Sequence, residues 1–240
     1  MKKIIVANWK SLPETLAQAE EIVSRLDERL RELDTAMIDV VLCPPMVFLE
    51  DVARMLPTGV ALGAQDTDPH LARLGVQYVI IGHSDRRWKL SEDDMTVNKK
   101  LHTALADGLV PIVCLGERSR QGDWRDELAA QTVATCAGLA PEQITHCLIA
   151  YEPVWAISTS PDARPDTPAS AVQSMSLIRD TLADSYGLSP MTFLYGGSVT
   201  PANAREFLER PEIAGVLVGG ASVRPADFGQ ILTTAASSKD

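Results

Sequence analysis

A closed (β/α)8 barrel is the fold this chain predicts, on three observations. Eight short apolar runs alternate with eight helix-like segments, with short connections and no linker-like gap. Such alternation makes a parallel sheet, and eight units suffice to close it. Polar residues gather after nearly every apolar run, and a closed barrel places functional groups at many strand C-terminal ends. An open, doubly wound sheet would want a glycine-rich phosphate turn after the first strand, and that position reads Asn8-Trp9-Lys10. We therefore expect one barrel domain over residues 1–240.

The elements follow in order. Ile4 to Ala7 is the first strand, and Thr15 to Leu33 has helical spacing (Leu16, Ala19, Ile22, Val23, Leu26) with a charged opposite face. Met37 to Cys43 is the second strand, closed by Pro44-Pro45, and Phe48 to Leu56 a short helix. Val60 to Ala64 is the third strand, and Pro69 to Leu74 has room for only about one or two helical turns. Val76 to Gly82 is the fourth strand, followed by His83-Ser84-Asp85-Arg86-Arg87 and a helix from Thr96 to Ala106. Val110 to Leu115 and Trp124 to Ala137 form the fifth pair, and His146 to Tyr151 and Pro168 to Tyr186 the sixth. Thr192 to Tyr195 is followed by a helix from Pro201 to Glu209, with proline in its first turn where the missing N–H costs nothing. Val216 to Val218 and Pro225 to Thr233 complete the eight.

Composition narrows the function. A chain of 240 residues with 45% hydrophobic content can bury a sizeable core. A net charge of −10 argues against a nucleic-acid partner, which wants a basic face. Cys43, Cys114, Cys136 and Cys147 have no C-x-x-C spacing, and three lie in apolar runs, which suits a reducing compartment. Met1 to Asn8 turns polar too soon for a signal peptide, and no apolar run approaches membrane-spanning length. The expectation is a soluble cytoplasmic protein with no membrane or nucleic-acid partner.

Chemistry gathers at four places. Glu152 ends the sixth strand, Pro153 stops the ladder, and Val154-Trp155-Ala156-Ile157 is apolar where the chain should be leaving the core. A strand-end carboxylate is usually solvated or ion-paired, but one covered by Trp155 and Ile157 loses hydration of its charged form and becomes a stronger base, able to take a proton from carbon. His83 follows an apolar strand and precedes a turn whose amides disfavour a cationic ring, so a neutral His83 can donate to a carbonyl oxygen. Asn8 and Lys10 leave the first strand on one side with Trp9 facing away, and Lys10 can offset the charge of an anionic substrate. Gly196-Gly197-Ser198 and Gly219-Gly220 follow strands seven and eight, where barrels commonly hold phosphate. His70, His102 and His146 lack ligand spacing, so no metal is expected. Together these define enolisation of a small phosphorylated carbonyl compound.

The blocks Asn8-Trp9-Lys10, Gly63-Ala64-Gln65, Val79 to Ser84, Pro111 to Glu117, Ala150 to Ile157, Tyr195 to Val199 and Val218 to Ser222 resemble the triosephosphate isomerase family over nearly the whole chain. The resemblance implies the TIM barrel and the cofactor-free interconversion of dihydroxyacetone phosphate and glyceraldehyde 3-phosphate, a step of glycolysis and gluconeogenesis. It makes Glu152 the base, His83 the neutral electrophile, Lys10 the substrate cation and Asn8 its neighbour. It puts phosphate on the amides of Ser158, Ser198, Gly219 and Gly220, and Asp85, Glu117 and Tyr195 around the reacting groups. Four departures qualify it. Only 17 residues separate Gln65 from His83, where the family carries a longer loop that reaches into a partner subunit, and Ser11 replaces the larger residue that receives that loop. A monomer, or a homodimer with a non-standard interface, is therefore expected. Asp85 replaces a glutamate, which shortens its reach and is expected to loosen the network around Lys10. Ser158 replaces glycine, and Pro161 to Pro168 is longer and richer in proline than usual. An isomerase of a related ketose phosphate and a catalytically weak phosphosugar-binding barrel are the alternatives.

Overall fold

A computed structural model describes residues 2–157, 163–187 and 191–238. Eight parallel strands close into a barrel in sequence order: β1 (Lys3–Asn8), β2 (Ile38–Cys43), β3 (Val60–Ala64), β4 (Tyr78–Ile81), β5 (Val110–Leu115), β6 (Leu148–Tyr151), β7 (Thr192–Tyr195) and β8 (Gly215–Val218). β8 closes onto β1 with Ile4 opposite Gly215 and Ala7 opposite Val218. The closure needs glycine at 215, because a Cβ there would lie 1.8 Å from the Ile4 carbonyl oxygen.

The strand pleat sorts side chains into two layers. Val6, Val41, Cys43, Ile80, Ile112, Cys114, Leu148, Ala150, Leu194 and Leu217 fill the barrel lumen. Ile5, Ala7, Leu42, Val79, Val113 and Ile149 point outward into a larger core shared with the helices. Each fully buried aliphatic side chain is worth about 1.5–3 kcal/mol of transfer free energy, so the period-2 pattern inside continuous apolar runs fixes the register strongly.

The helices are α1 (Leu16–Glu32), α2 (Leu49–Met55), α3 (Ser84–Lys89), α4 (Asp94–Ala106), α5 (Trp124–Cys136), α6 (Pro141–Thr145), α7 (Pro168–Tyr186), α8 (Ala204–Leu208) and α9 (Pro225–Ser237). α1 starts at a capping box in which Thr15 accepts from the Gln18 amide and Gln18 reaches back to the Thr15 N–H. α7 has Thr167 as its cap and Pro168 in its first turn, and it ends at Gly187 with φ 67. No helix among the described residues is long and apolar enough to cross a membrane.

Two short helices were not expected from periodicity. α3 is a charged run held by ion pairs rather than by an apolar face. α6 is five residues that push the start of β6 from His146 to Leu148. The helix expected from Pro201 begins only at Ala204, because Asn203 Oδ1 accepts the Thr200 amide at 2.8 Å and makes a turn of the residues between. Between β3 and β4 the chain makes one 3-10 turn, Leu71–Leu74, with Leu71 buried against its own core.

Candidate active site

The C-terminal strand ends bring Asn8, Lys10, His83, Glu152, Ser198, Gly219 and Gly220 around one cavity of about 1010 Å³, open mouth included. Ser158 lies outside the described residues.

Asn8 ends β1 and is buried; its Oδ1 accepts the backbone N–H of Lys10 at 3.0 Å. That bond holds Lys10 at φ 55, a conformation unusual for a residue with a Cβ. The turn sends Trp9 outward into the helix layer, as alternation requires, and sends the Lys10 ammonium inward to 2.9 Å from Asp85 Oδ2. The shorter carboxylate at position 85 therefore still reaches Lys10, contrary to the loosening expected from its length. The other oxygen of Asp85 meets Lys89 Nζ at 2.6 Å. Burial pushes the Asp85 carboxyl up, but hydrogen bonds from Lys89 and Lys10 outweigh it and hold the group at about 2.

His83 precedes α3 and caps it. Its Nδ1 accepts the Asp85 amide at 3.0 Å, which leaves the ring proton on Nε2, 3.1 Å from Glu152 Oε1. Burial lowers the His83 pKa, and Lys10 and Lys89 push the same way against Glu152 and Asp85, so the net shift favours the neutral ring. α3 itself is pinned from behind. Arg87, buried, donates to the Gly82 carbonyl at 2.8 Å and pairs with Asp94 at 2.5 Å. Arg86 meets Asp66 at 2.6 Å and Glu92 at 2.7 Å, and Lys100 bridges the same two carboxylates. Buried or half-buried pairs of this kind fix geometry more surely than they add stability.

Glu152 follows β6 and is 3% exposed. Its second oxygen accepts the Ser84 amide at 2.9 Å. Its backbone is fixed by donating to Leu115 O at 2.8 Å, while the next strand is tied in by Gly196 N–H to Tyr151 O at 2.8 Å. The flanking glycines are obligatory: a Cβ on Gly116 would sit 1.9 Å from the Glu152 carbonyl oxygen, and one on Gly196 2.9 Å from its Cγ.

The apolar segment after Glu152 divides its work. Ile157 lines the cavity with Glu152. Trp155 does not line it, which corrects the expectation that its ring covers the carboxylate. Trp155 Nε1 instead donates to Glu117 Oε1 at 2.9 Å, and the same oxygen accepts from Tyr151 Oη at 2.8 Å and pairs with Arg120 Nε at 2.9 Å. Glu117 thus holds the segment after the carboxylate rather than the carboxylate. Tyr195 is buried under the glycine turn and stacks on Phe207 at 3.8 Å. A Cβ on Gly197 would meet the Tyr195 hydroxyl at 2.2 Å.

The two glycine turns are braced from below. Asn203 Nδ2 donates to Ser198 O at 2.9 Å, and Ser222 Oγ donates to Gly219 O at 2.7 Å and to Asn8 O at 3.3 Å. Two contributors escaped sequence reasoning. The Ser84 amide holds Glu152, and the only hint of it was that Ser84 follows His83. Arg224 lines the cavity and donates to Gly220 O at 2.8 Å; its hint was a cation directly after the second glycine turn. Among the described residues no group of three or more His, Cys, Asp or Glu could hold a metal ion.

A family model described as triosephosphate isomerase matches residues 3–235. Among curated proteins, the chain is 39% identical to a triosephosphate isomerase of Clostridium novyi (strain NT), over 96% of this chain and 98% of that one. It is also 39% identical to one from Chloroflexus aurantiacus, over 95% and 97% of the two chains. A third, from Caldanaerobacter subterraneus subsp. tengcongensis, is 39% identical over 96% and 98%.

Proposed function

The chain belongs to the triosephosphate isomerase family, and from that premise we propose that it interconverts dihydroxyacetone phosphate and D-glyceraldehyde 3-phosphate, with Glu152 as base and neutral His83 as electrophile. The observation that carries the roles is the 3.1 Å approach of His83 Nε2 to Glu152 Oε1. A substrate carbonyl that takes this N–H releases the carboxylate toward the neighbouring carbon.

The substrate phosphate rests on the amides of Ser198, Gly219 and Gly220, joined by that of Ser158, and Lys10 offsets its charge. Glu152 removes a proton from C1; the electron pair forms the C1–C2 double bond, and the charge moving onto O2 meets the His83 Nε2–H and the Lys10 ammonium. His83 gives its Nε2 proton to O2 and takes the O1 proton in its place, the protonated Glu152 delivers its proton to C2, and C1=O forms as the aldehyde. A neutral ring suits this step, because a cationic one would surrender its proton too early and bind the buried carboxylate too firmly. Asn8 positions Lys10, and Asp85 anchors the ammonium from the far side. Glu117 and Tyr195 support the segment after Glu152 and the first glycine turn.

The four cysteines are free and buried, with the Cys136 and Cys147 thiols pushed up to about 12 by burial. That suits a reducing compartment, and we place the protein in the cytoplasm. We read it as a monomer, or as a dimer through a non-standard interface, because the β3–β4 connection is short.

The test is a coupled assay with glyceraldehyde 3-phosphate on the wild type and Glu152→Gln. Removing the base while keeping its shape should lower kcat by about 10²- to 10⁴-fold. Undiminished turnover by Glu152→Gln would overturn the assignment.

A further inference from the structure

The barrel mouth holds a second cavity beside the first, of about 690 Å³ with its open side. The two share Asn8, Lys10 and His83. The wall peculiar to the second is Ser11, Gln65, Asp85, Arg86, Lys89 and Leu90, after the ends of β1 and β3 and along α3. The glycine turns follow β7 and β8, which face β3 and β4 across the closed barrel. A line from the glycine turns through the reacting groups therefore continues into the second cavity.

The space is left by the β3–β4 connection. Of its residues only Gln65 reaches this wall, and the rest folds into the Leu71–Leu74 turn. Apart from Leu90 at its rim the wall is polar and orderly: Gln65 Nε2 is anchored on Cys43 O at 3.0 Å, and Asp85 spans Lys10 and Lys89 at 2.9 and 2.6 Å. Such a lining receives hydroxyl groups better than alkyl ones, since an alkyl group would displace water from the polar wall without replacing its hydrogen bonds.

We propose that this cavity is a subsite for the far end of a substrate one carbon longer than a triose: a tetrulose 1-phosphate, with a hydroxymethyl group beyond the reacting pair. The inference rests on the function proposed above, because the same four groups act at the same distance from the phosphate. Glu152 takes the C3 proton, C2=C3 forms as the carbonyl pair moves to O2, and O2 takes the His83 Nε2 proton. On the return, Glu152 gives its proton to C2, the O3 proton goes back to His83, and C3=O forms. The product is the isomeric tetrulose 4-phosphate, with no atom or electron gained or lost.

The experiment follows tetrulose 1-phosphate by ¹³C NMR, with triose phosphate turnover measured in parallel on the wild type, Ser11→Phe and Leu90→Trp. Both substitutions fill the second cavity from exposed positions. The expected result is conversion to the 4-phosphate by the wild type, reduced at least about tenfold by either variant, with triose turnover within about twofold. Triose turnover without tetrulose conversion overturns the subsite and leaves the triose function standing. Tetrulose conversion unaffected by both variants overturns its placement. Failure of both substrates overturns the function and the subsite together.

Discussion

The Nε2 of His83 lies 3.1 Å from Oε1 of Glu152, while Nδ1 of the same ring accepts the Asp85 amide at 3.0 Å. One nitrogen is thus committed as an acceptor and the other as a donor. Burial lowers the pKa of this ring from 6.5, aided by Lys10 and Lys89. The unfolded chain then binds more protons than the native one just below pH 6.5, so stability rises with pH there. The His83 contribution is complete above pH 6.5 and is lost as pH falls toward the depressed native value. The Tm difference between wild type and His83→Gln should therefore shrink on acidification through this window. An imidazole resonance of His83 that titrates at or above 6.5 by NMR would contradict the neutral-ring assignment.

Asp85 joins Lys10 to Lys89, and it is held at about 2 instead of 3.8. A depressed carboxylate contributes stability that is full above pH 3.8 and drains away as pH falls toward 2, in total about 2 kcal/mol. Asp85→Asn should remove that acid sensitivity. It should also lower kcat/KM about 10- to 100-fold by freeing the Lys10 ammonium to wander from its place. Asp85→Glu should restore most of the activity, since the charge returns. Equal activity of Asp85→Asn and wild type in the coupled assay would remove Asp85 from the positioning role.

The barrel was legible because each apolar run carries its own stop signal and the runs recur eight times. Glu152, His83 and Lys10 were legible because each stands at a strand end, where backbone geometry leaves little choice of direction. What sequence could not give were contacts closed by other elements. Trp155 reads as a cover for Glu152, yet Glu117, from the β5–α5 connection and paired there with Arg120, accepts its indole N–H. α3 has no apolar period because Asp66, Glu92 and Asp94, from three other segments, satisfy its arginines. The reach of Asp85 depended on the left-handed turn at Lys10, which spacing alone does not reveal.

Gly116 and Gly220 separate packing from binding. A Cβ on Gly116 collides with the Glu152 backbone at 1.9 Å, while one on Gly220 has nothing nearer than the tip of Arg224 at 3.7 Å. Gly116→Ala should destabilise by about 1–3 kcal/mol, through strand displacement that the interior cannot absorb, and should lower kcat with it. Gly220→Ala should keep the wild-type Tm and raise KM for the triose phosphate. Urea unfolding beside steady-state kinetics checks both. An unfolding midpoint for Gly116→Ala equal to the wild type would show that the strand ends are looser than this packing.

Asn8, Lys10, His83 and Glu152 already stand together within one chain, and the β3–β4 connection anchors itself on its own barrel through Leu71 and Val76, with Pro69, His70, Ala72 and Arg73 left exposed. Leu71 is 1% exposed and turns the connection back into its own core. Met46 and Val47 are exposed on one turn after β2, and Leu12, Trp88, Leu90 and Met95 are exposed on the segments after β1 and β4. A stable dimer commonly buries about 1,600 Å² in total, more than Met46 and Val47 supply by themselves, and we read catalysis as complete within one chain. Activity per chain should therefore stay constant on dilution from micromolar to nanomolar concentration, and Val47→Lys should leave both kcat and sedimentation unchanged. Catalysis does not wait on association if Lys10 is already set by Asn8 and Asp85, at 3.0 and 2.9 Å within the one chain. A specific activity that falls with dilution and recovers on concentration would show instead that a second copy completes the site.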